Sequence, residues 1–167
     1  MKRLFFIFAL LMTGCTSAPE GIAPVRPFEL ERYLGTWYEV ARLDHRFERG
    51  LRDVTAEYSM REDGGIHVVN RGVDEKTGEM SEAIGRAYPV GQSDVAHLKV
   101  SFFGPFFGAY VVFELDPEYQ HAFVSGPNRE YLWLLARTPE VSEEVMTRFR
   151  QRAAELGFDL QPLIVNP

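Results

Sequence analysis

A single cysteine, Cys15, is all the thiol chemistry this 167-residue chain possesses. No intramolecular disulfide can form, and there is no cysteine pair to hold a structural metal or run redox exchange. Basic charge is also scarce, with 18 Lys and Arg against 24 Asp and Glu, a net of −6. Setting aside Lys2 and Arg3 leaves 16 basic residues and a net of −8. Such a body argues against general nucleic-acid binding, which needs a basic face. The signatures of common catalytic machines are missing too. The chain has no Gly-x-Ser-x-Gly elbow, no free cysteine paired with histidine and no His-Glu-x-x-His helix. His45, His67, His97 and His121 are scattered and read as surface or structural residues, so neither a metal nor a cofactor is implied. No apolar run approaches the roughly 20 residues that span a bilayer as a helix.

What is present begins at the first residue. Lys2 and Arg3 precede an unbroken apolar run of nine residues, Leu4 to Met12, the size of a secretory signal core. The run ends in Met12-Thr13-Gly14-Cys15, which resembles a bacterial lipobox, with small residues just before a cysteine that is acylated and becomes the new N-terminus. Met12 stands where Leu is commonest. Two or three acyl chains anchor far more firmly than one. Thr16 follows the cysteine, where Asp would resemble an inner-membrane retention signal, so the outer membrane of a Gram-negative envelope is the expected address. Residues 16–27 hold three prolines and no apolar period, which predicts an extended tether reaching up to about 37 Å. Three parts follow: a signal peptide over 1–14, a lipidated Cys15 with a flexible tether over 15–27, and a folded domain over 28–167.

The folded part reads as β-rich. Phe28 to Leu34 suggests one helical turn before Gly35, and short strands then succeed one another near 36–43, 53–61, 65–73, 79–89, 95–102, 108–115, 120–126 and 130–137. Turn chemistry separates them, as in Glu62-Asp63-Gly64-Gly65, Lys76-Thr77-Gly78 and Asp116-Pro117-Glu118. Ser142 followed by Glu143 and Glu144 starts a helix whose apolar stripe is Val145, Phe149, Ala153 and Leu156, with Gly157 as its stop. Leu163-Ile164-Val165 can add a last strand.

Eight sequential antiparallel strands most simply close into a barrel, which removes exposed edges and leaves an interior that side chains fill or one small ligand occupies. Alternation puts Ala83, Gly85 and Ala87 on one face of the fourth strand. If that face points inward, the wall leaves space, and Ala56 would widen it further. Val54, Tyr58, Leu98, Val100, Phe102 and Trp133 complete an apolar lining, with Ala41 above the first strand's entry.

Three separated blocks carry a resemblance. Gly35-Thr36-Trp37-Tyr38, Leu115-Asp116-Pro117-Glu118-Tyr119 and Leu135-Ala136-Arg137-Thr138-Pro139 occur in the order of the lipocalin signature. Further likeness lies in Asp44 to Leu51, Val100 to Phe106 and Gly126 to Trp133, so that residues 28–165 are covered. With the lipobox, the chain resembles a bacterial outer-membrane lipoprotein lipocalin. The resemblance implies an all-β, eight-stranded antiparallel up-and-down barrel closed at one end, with one C-terminal α-helix packed outside. It makes Gly35, Trp37, Asp116 and Arg137 structural, with Arg137 lying over Trp37. At the opposite mouth the first loop carries Arg46, Phe47, Arg49 and Arg52, and a hairpin tip from Phe102 to Gly108 carries four aromatics, including Phe106. The tip is expected to touch acyl chains or membrane while the arginines hold a phosphate headgroup.

The function expected is non-covalent storage or transport of a fatty acid, lysophospholipid or similar lipid for envelope maintenance. The membrane is reached through acylated Cys15, and a homodimer is left open by the resemblance. Two other classes stay in view: a lipocalin-type, isomerase-like enzyme, and a structural envelope protein with a filled barrel.

Overall fold

Period-two alternation over most of the chain is satisfied by a sheet that closes on itself. The structure, a computed structural model, describes residues 15–166; the signal peptide expected over 1–14 lies outside the described residues. A four-residue helix α1 (Leu30–Tyr33) leads into β1 (Gly35–Leu43), β2 (Leu51–Met60), β3 (Ile66–Asp74) and β4 (Met80–Pro89). These are followed by β5 (His97–Phe103), β6 (Phe106–Leu115), β7 (His121–Ser125), β8 (Leu132–Ala136), helix α2 (Glu143–Glu155) and β9 (Leu163–Val165). Each strand from β1 to β8 pairs antiparallel with the next, and β1 also pairs β8, closing an eight-stranded up-and-down barrel. The edge of β1 that β2 leaves at Ala41 to Leu43 is taken by β9. The expected fold is therefore present, with the C-terminal segment as its ninth strand.

Two cores share the barrel wall. Inside, Phe28, Tyr33, Trp37, Ile66, Leu98 and Tyr119 pack the closed end. Outside, α2 lays Phe149 and Ala153 onto Val111, Phe123, Leu132 and Leu134, with all six fully buried. Ser142 caps α2 by accepting from Val145 N at 3.3 Å, and Gly157 ends it with φ +84°. Glu114 on β6 pins the helix from the barrel side, taking Arg148 at 2.7 Å and Arg152 at 3.1 Å.

The closed end is a lock built from the three signature blocks. Gly35 has φ +95°, and a Cβ there would lie 3.4 Å from the Arg137 guanidinium, so glycine serves both backbone and neighbour. Arg137 sits 3.9 Å over the Trp37 ring and donates to the carbonyls of Arg32, Thr36 and Tyr119 at 2.8, 3.0 and 3.2 Å. Trp37 is fully buried and its indole donates to Tyr33 O at 2.7 Å. The Asp116 carboxylate accepts from the amides of Glu118 and Gln120, folding the turn that presents Tyr119.

Residues 15–27 differ from the expected free leash. Cys15 O accepts from Ala109 N at 2.7 Å, Val25 bonds to Val112 and Ala96, and Ile22 is buried in the outer core. The segment bends at a Glu20–Gly21 turn closed by Ile22 N to Pro19 O, and its start finds the Ala109 amide of β6, beyond the residues that β7 pairs. The segment runs down the barrel from the open end to Phe28.

Candidate functional site

The upper half of the barrel is hollow. A cavity of about 490 Å³ opens between the β1–β2 and β5–β6 connections. Its lower wall is Val54, Ala56, Val68, Val100, Phe102 and Leu135, and its base is formed by the rings of Tyr58 and Tyr110. Arg46, Phe47, Ala83, Phe106 and Trp133 line it nearer the mouth. Most residues singled out from the sequence thus meet in one space.

Five do not, for separate physical reasons. Between Glu39 and Ala41 the register of β1 against β8 slips by one residue. This bulge turns Ala41 outward, where it is buried under the outer core instead of lining the cavity. Ala87 and Leu98 do face inward, but they lie below the hollow in the packed closed end. At Gly85 the space is not empty: a Cβ there would meet Ser101 O at 2.7 Å and the Phe102 ring at 2.8 Å. Gly85 therefore lets Phe102 and the next strand approach instead of enlarging the cavity. Arg49 stands at the rim and pairs with Asp44 at 2.9 Å. Arg52 is likewise paired, with its neighbour Asp53, while no carboxylate among the described residues pairs with Arg46. The tip also differs from expectation. β5 and β6 continue through a Phe103–Phe106 pair to a two-residue Gly104-Pro105 turn, so Phe103 and Phe106 project from strand ends.

Beside the apolar cavity lies a second hollow of about 380 Å³, polar in its walls: Asp44, His45, Arg46, Arg49, Glu130 and Tyr131. His45, Arg46 and Tyr131 belong to both spaces.

A buried polar belt, which sequence reading missed, divides the two. The same bulge that turns Ala41 out brings Arg42 beside Glu39, at 2.6 Å, with both almost fully buried. Arg42 also donates to the carbonyls of Glu48 and Leu51 at 3.0 and 2.9 Å. Glu48 accepts from the Trp133 indole at 3.0 Å and lies 2.8 Å from His45 Nε2. His45 is only 6% exposed and is packed against the rings of Phe47, Tyr131 and Trp133, so of the two readings, surface or structural, it takes the structural one. Glu39, His45 and Glu48 all line the cavity. Burial and the nearby Glu48 carboxylate push the Glu39 carboxyl up to about 8, against the pull of Arg42. Glu48 moves the other way: burial would raise it, but His45 and the Trp133 donor outweigh that and hold it low. One proton kept on Glu39 leaves the two carboxyls and the guanidinium without net charge, which is how a low-dielectric wall tolerates them.

At the base, Tyr110 Oη joins Tyr33 Oη at 2.7 Å and Tyr58 Oη at 3.0 Å. Burial raises all three phenols, Tyr58 to about 12, so they stay protonated and bond to one another under the apolar space. The signals that could have revealed this polar inventory are weak ones. Glu39 and Arg42 are charged residues inside an otherwise apolar strand, and Tyr58 and Tyr110 sit at inward parity. No group of three or more His, Cys, Asp or Glu among the described residues is placed to hold a metal ion. The arrangement is suited to receiving an apolar chain and one polar group.

Residues 28–167 match the model of the lipocalin-like domain. The chain is 58% identical over 166 residues to the outer membrane lipoprotein Blc of Vibrio cholerae, covering 98% of this chain and 97% of that one. It is 51% identical to the protein of the same name from Escherichia coli, over 93% and 89% of the two chains. Among solved structures, insecticyanin from the tobacco hornworm Manduca sexta superposes with a TM-score of 0.71 at 19% identity, covering 90% of this chain and 86% of that one.

Proposed function

Because this chain belongs to the lipocalin family, we propose that it is a lipid-binding lipoprotein of the outer membrane, anchored through acylated Cys15. It carries or stores a single-chain lipid, a fatty acid or lysophospholipid, in its barrel. The observation that carries this reading is the apolar cavity of about 490 Å³ with one open end, a size within the roughly 300–1,000 Å³ of small-molecule sites. An acyl chain entering it is driven by about 0.8 kcal/mol for each CH₂ buried, before ordering costs. The polar hollow at the rim, with Arg46 and Arg49, suits a phosphate-bearing head above that chain. The names of the Vibrio cholerae and Escherichia coli relatives support the address.

Incubating the purified protein with a bacterial lipid extract, re-isolating it and identifying what remains bound by mass spectrometry tests the reading. One single-chain lipid per barrel is expected. An empty barrel after saturation would leave a structural envelope role instead, and recovery of chemically altered lipid would move the reading to catalysis. Charge reversal in Arg46→Glu and Arg49→Glu is expected to weaken a lysophospholipid more than a neutral fatty alcohol. Equal loss for both removes the headgroup role.

A further inference from the structure

The point from which the anchor emerges is fixed at the cavity mouth. Cys15 lines the cavity and its carbonyl is bonded to Ala109 N at 2.7 Å, while the next carbonyl, Thr16 O, is 2.7 Å from His97 Nε2. Pro19 and Ile22, a few residues on, are buried against the barrel. The segment therefore contributes no slack between the anchor and the rim.

The same end carries the most exposed aromatic rings among the described residues. Phe106 is 76% exposed, Phe103 68% and Phe47 55%. Phe103 and Phe106 belong to the β5–β6 hairpin and Phe47 to the β1–β2 connection, which face each other across the barrel. Each cluster is accompanied by cations. Arg46 lies 4.8 Å over Phe47, and Lys99 and Arg86 lie 4.9 and 5.4 Å over Phe107. Of the acidic side chains at this end, Asp44 and Asp53 are paired with Arg49 and Arg52 and Glu130 lines the polar hollow, while the β3–β4 connection holds Asp74, Glu75 and Glu79. An aromatic tip with a basic collar is the composition that settles at the headgroup level of an anionic leaflet.

We propose that the open end is a membrane-docking face, held mouth-down on the same leaflet that carries the acyl chains of Cys15, with Phe103, Phe106 and Phe47 entering the headgroup region. The barrel tilts toward the Cys15 side and lifts the acidic β3–β4 connection off the surface. Lipid then passes between leaflet and cavity without crossing water. The inference rests on the acylated Cys15 proposed above and adds an orientation to it.

Cys15 is the only cysteine, so in the acylated protein an introduced cysteine is the only free thiol. Phe106→Cys, Phe103→Cys and, at the closed end, Glu118→Cys are exposed substitutions that leave both cores intact. Each is labelled with an environment-sensitive fluorophore on the full acylated protein in phosphatidylethanolamine–phosphatidylglycerol vesicles containing a lipid-borne nitroxide quencher. Several-fold stronger quenching at 103 and 106 than at 118 is expected. Equal quenching at both ends, or none at the rim, overturns the docking. A rim label shielded from the quencher in a concentration-dependent way, in detergent as well as in vesicles, also overturns it in favour of a second copy of the chain. The mass of the N-terminal peptide keeps the two readings apart: an unmodified Cys15 defeats the anchor, whereas an acylated Cys15 with an unquenched rim defeats only the orientation.

Discussion

At the closed end an arginine lies 3.9 Å over Trp37 and donates to three carbonyls, with the indole wholly buried. At the open end an arginine lies 4.8 Å over Phe47, both are exposed, and Arg46 has no hydrogen-bond or ion-pair partner among the described residues. The same pair of chemistries, cation and aromatic ring, is spent at one end and available at the other. Polar groups follow the same division. The lower phenols satisfy one another, whereas the belt of Glu39, Arg42, His45 and Glu48 is balanced by a proton held on Glu39, whose carboxyl burial and Glu48 raise to about 8. A lock at one end lets the other stay hollow, because the closure of β1 onto β2 and β8 does not depend on filling the mouth.

The largest effect expected is at the lock. Trp37→Ala removes a fully buried indole and should cost about 3–5 kcal/mol of stability, read by urea unfolding. Lipid affinity of the fraction that stays folded should change little. Arg137→Ala leaves three carbonyls without their donor and should cost about 2 kcal/mol. If either substitution weakens lipid binding more than it lowers stability, the two ends are not separate.

The belt gives a pH-dependent contrast. The folded Glu39 carboxyl titrates near 8, whereas the unfolded one titrates at an ordinary value near 4.3. Between those values the folded state holds a proton that the unfolded state has lost. Stability from Glu39 is therefore fully present below the lower value and declines as pH rises through the upper one. Glu48 has the opposite sign, its contribution being lost as pH falls through the carboxylate range. Glu39→Gln should flatten the decline in unfolding free energy between about pH 5 and pH 8.5, and an unchanged slope would remove Glu39 from the account. The smallest effect is expected at the rim, where Phe103→Ser and Phe106→Ser should each shift stability by less than about 0.5 kcal/mol.

This contrast also explains what was legible in the sequence. The lock could be read because each part obeys a local rule: a glycine where φ is positive, an Asp whose carboxylate folds a turn, and an arginine at a strand end. The barrel could be read from alternation and turn spacing. The cavity was harder, because one extra residue in β1 reverses parity, sending Ala41 out and bringing Arg42 in. Ala87 and Leu98 had the right face but the wrong height, a coordinate that alternation does not carry. Gly85 looked like space because a glycine does not announce the ring that fills it. The tether was read from its prolines, and nothing in their pattern told of the uncovered β6 amide that holds Cys15.

The two tryptophans stand on opposite sides of the cavity floor, Trp133 lining the hollow and Trp37 buried beneath it. Titrating a single-chain lipid brominated along its acyl chain, a quencher that acts at contact, into the protein and its Trp133→Phe variant tests the central claim directly. The wild-type emission should fall in a saturable, one-to-one titration, while the variant binds the same lipid with its emission nearly unchanged. Equal fractional quenching of both proteins, or no quenching of the wild type at saturation, would contradict a lipid seated in the open half above a sealed floor.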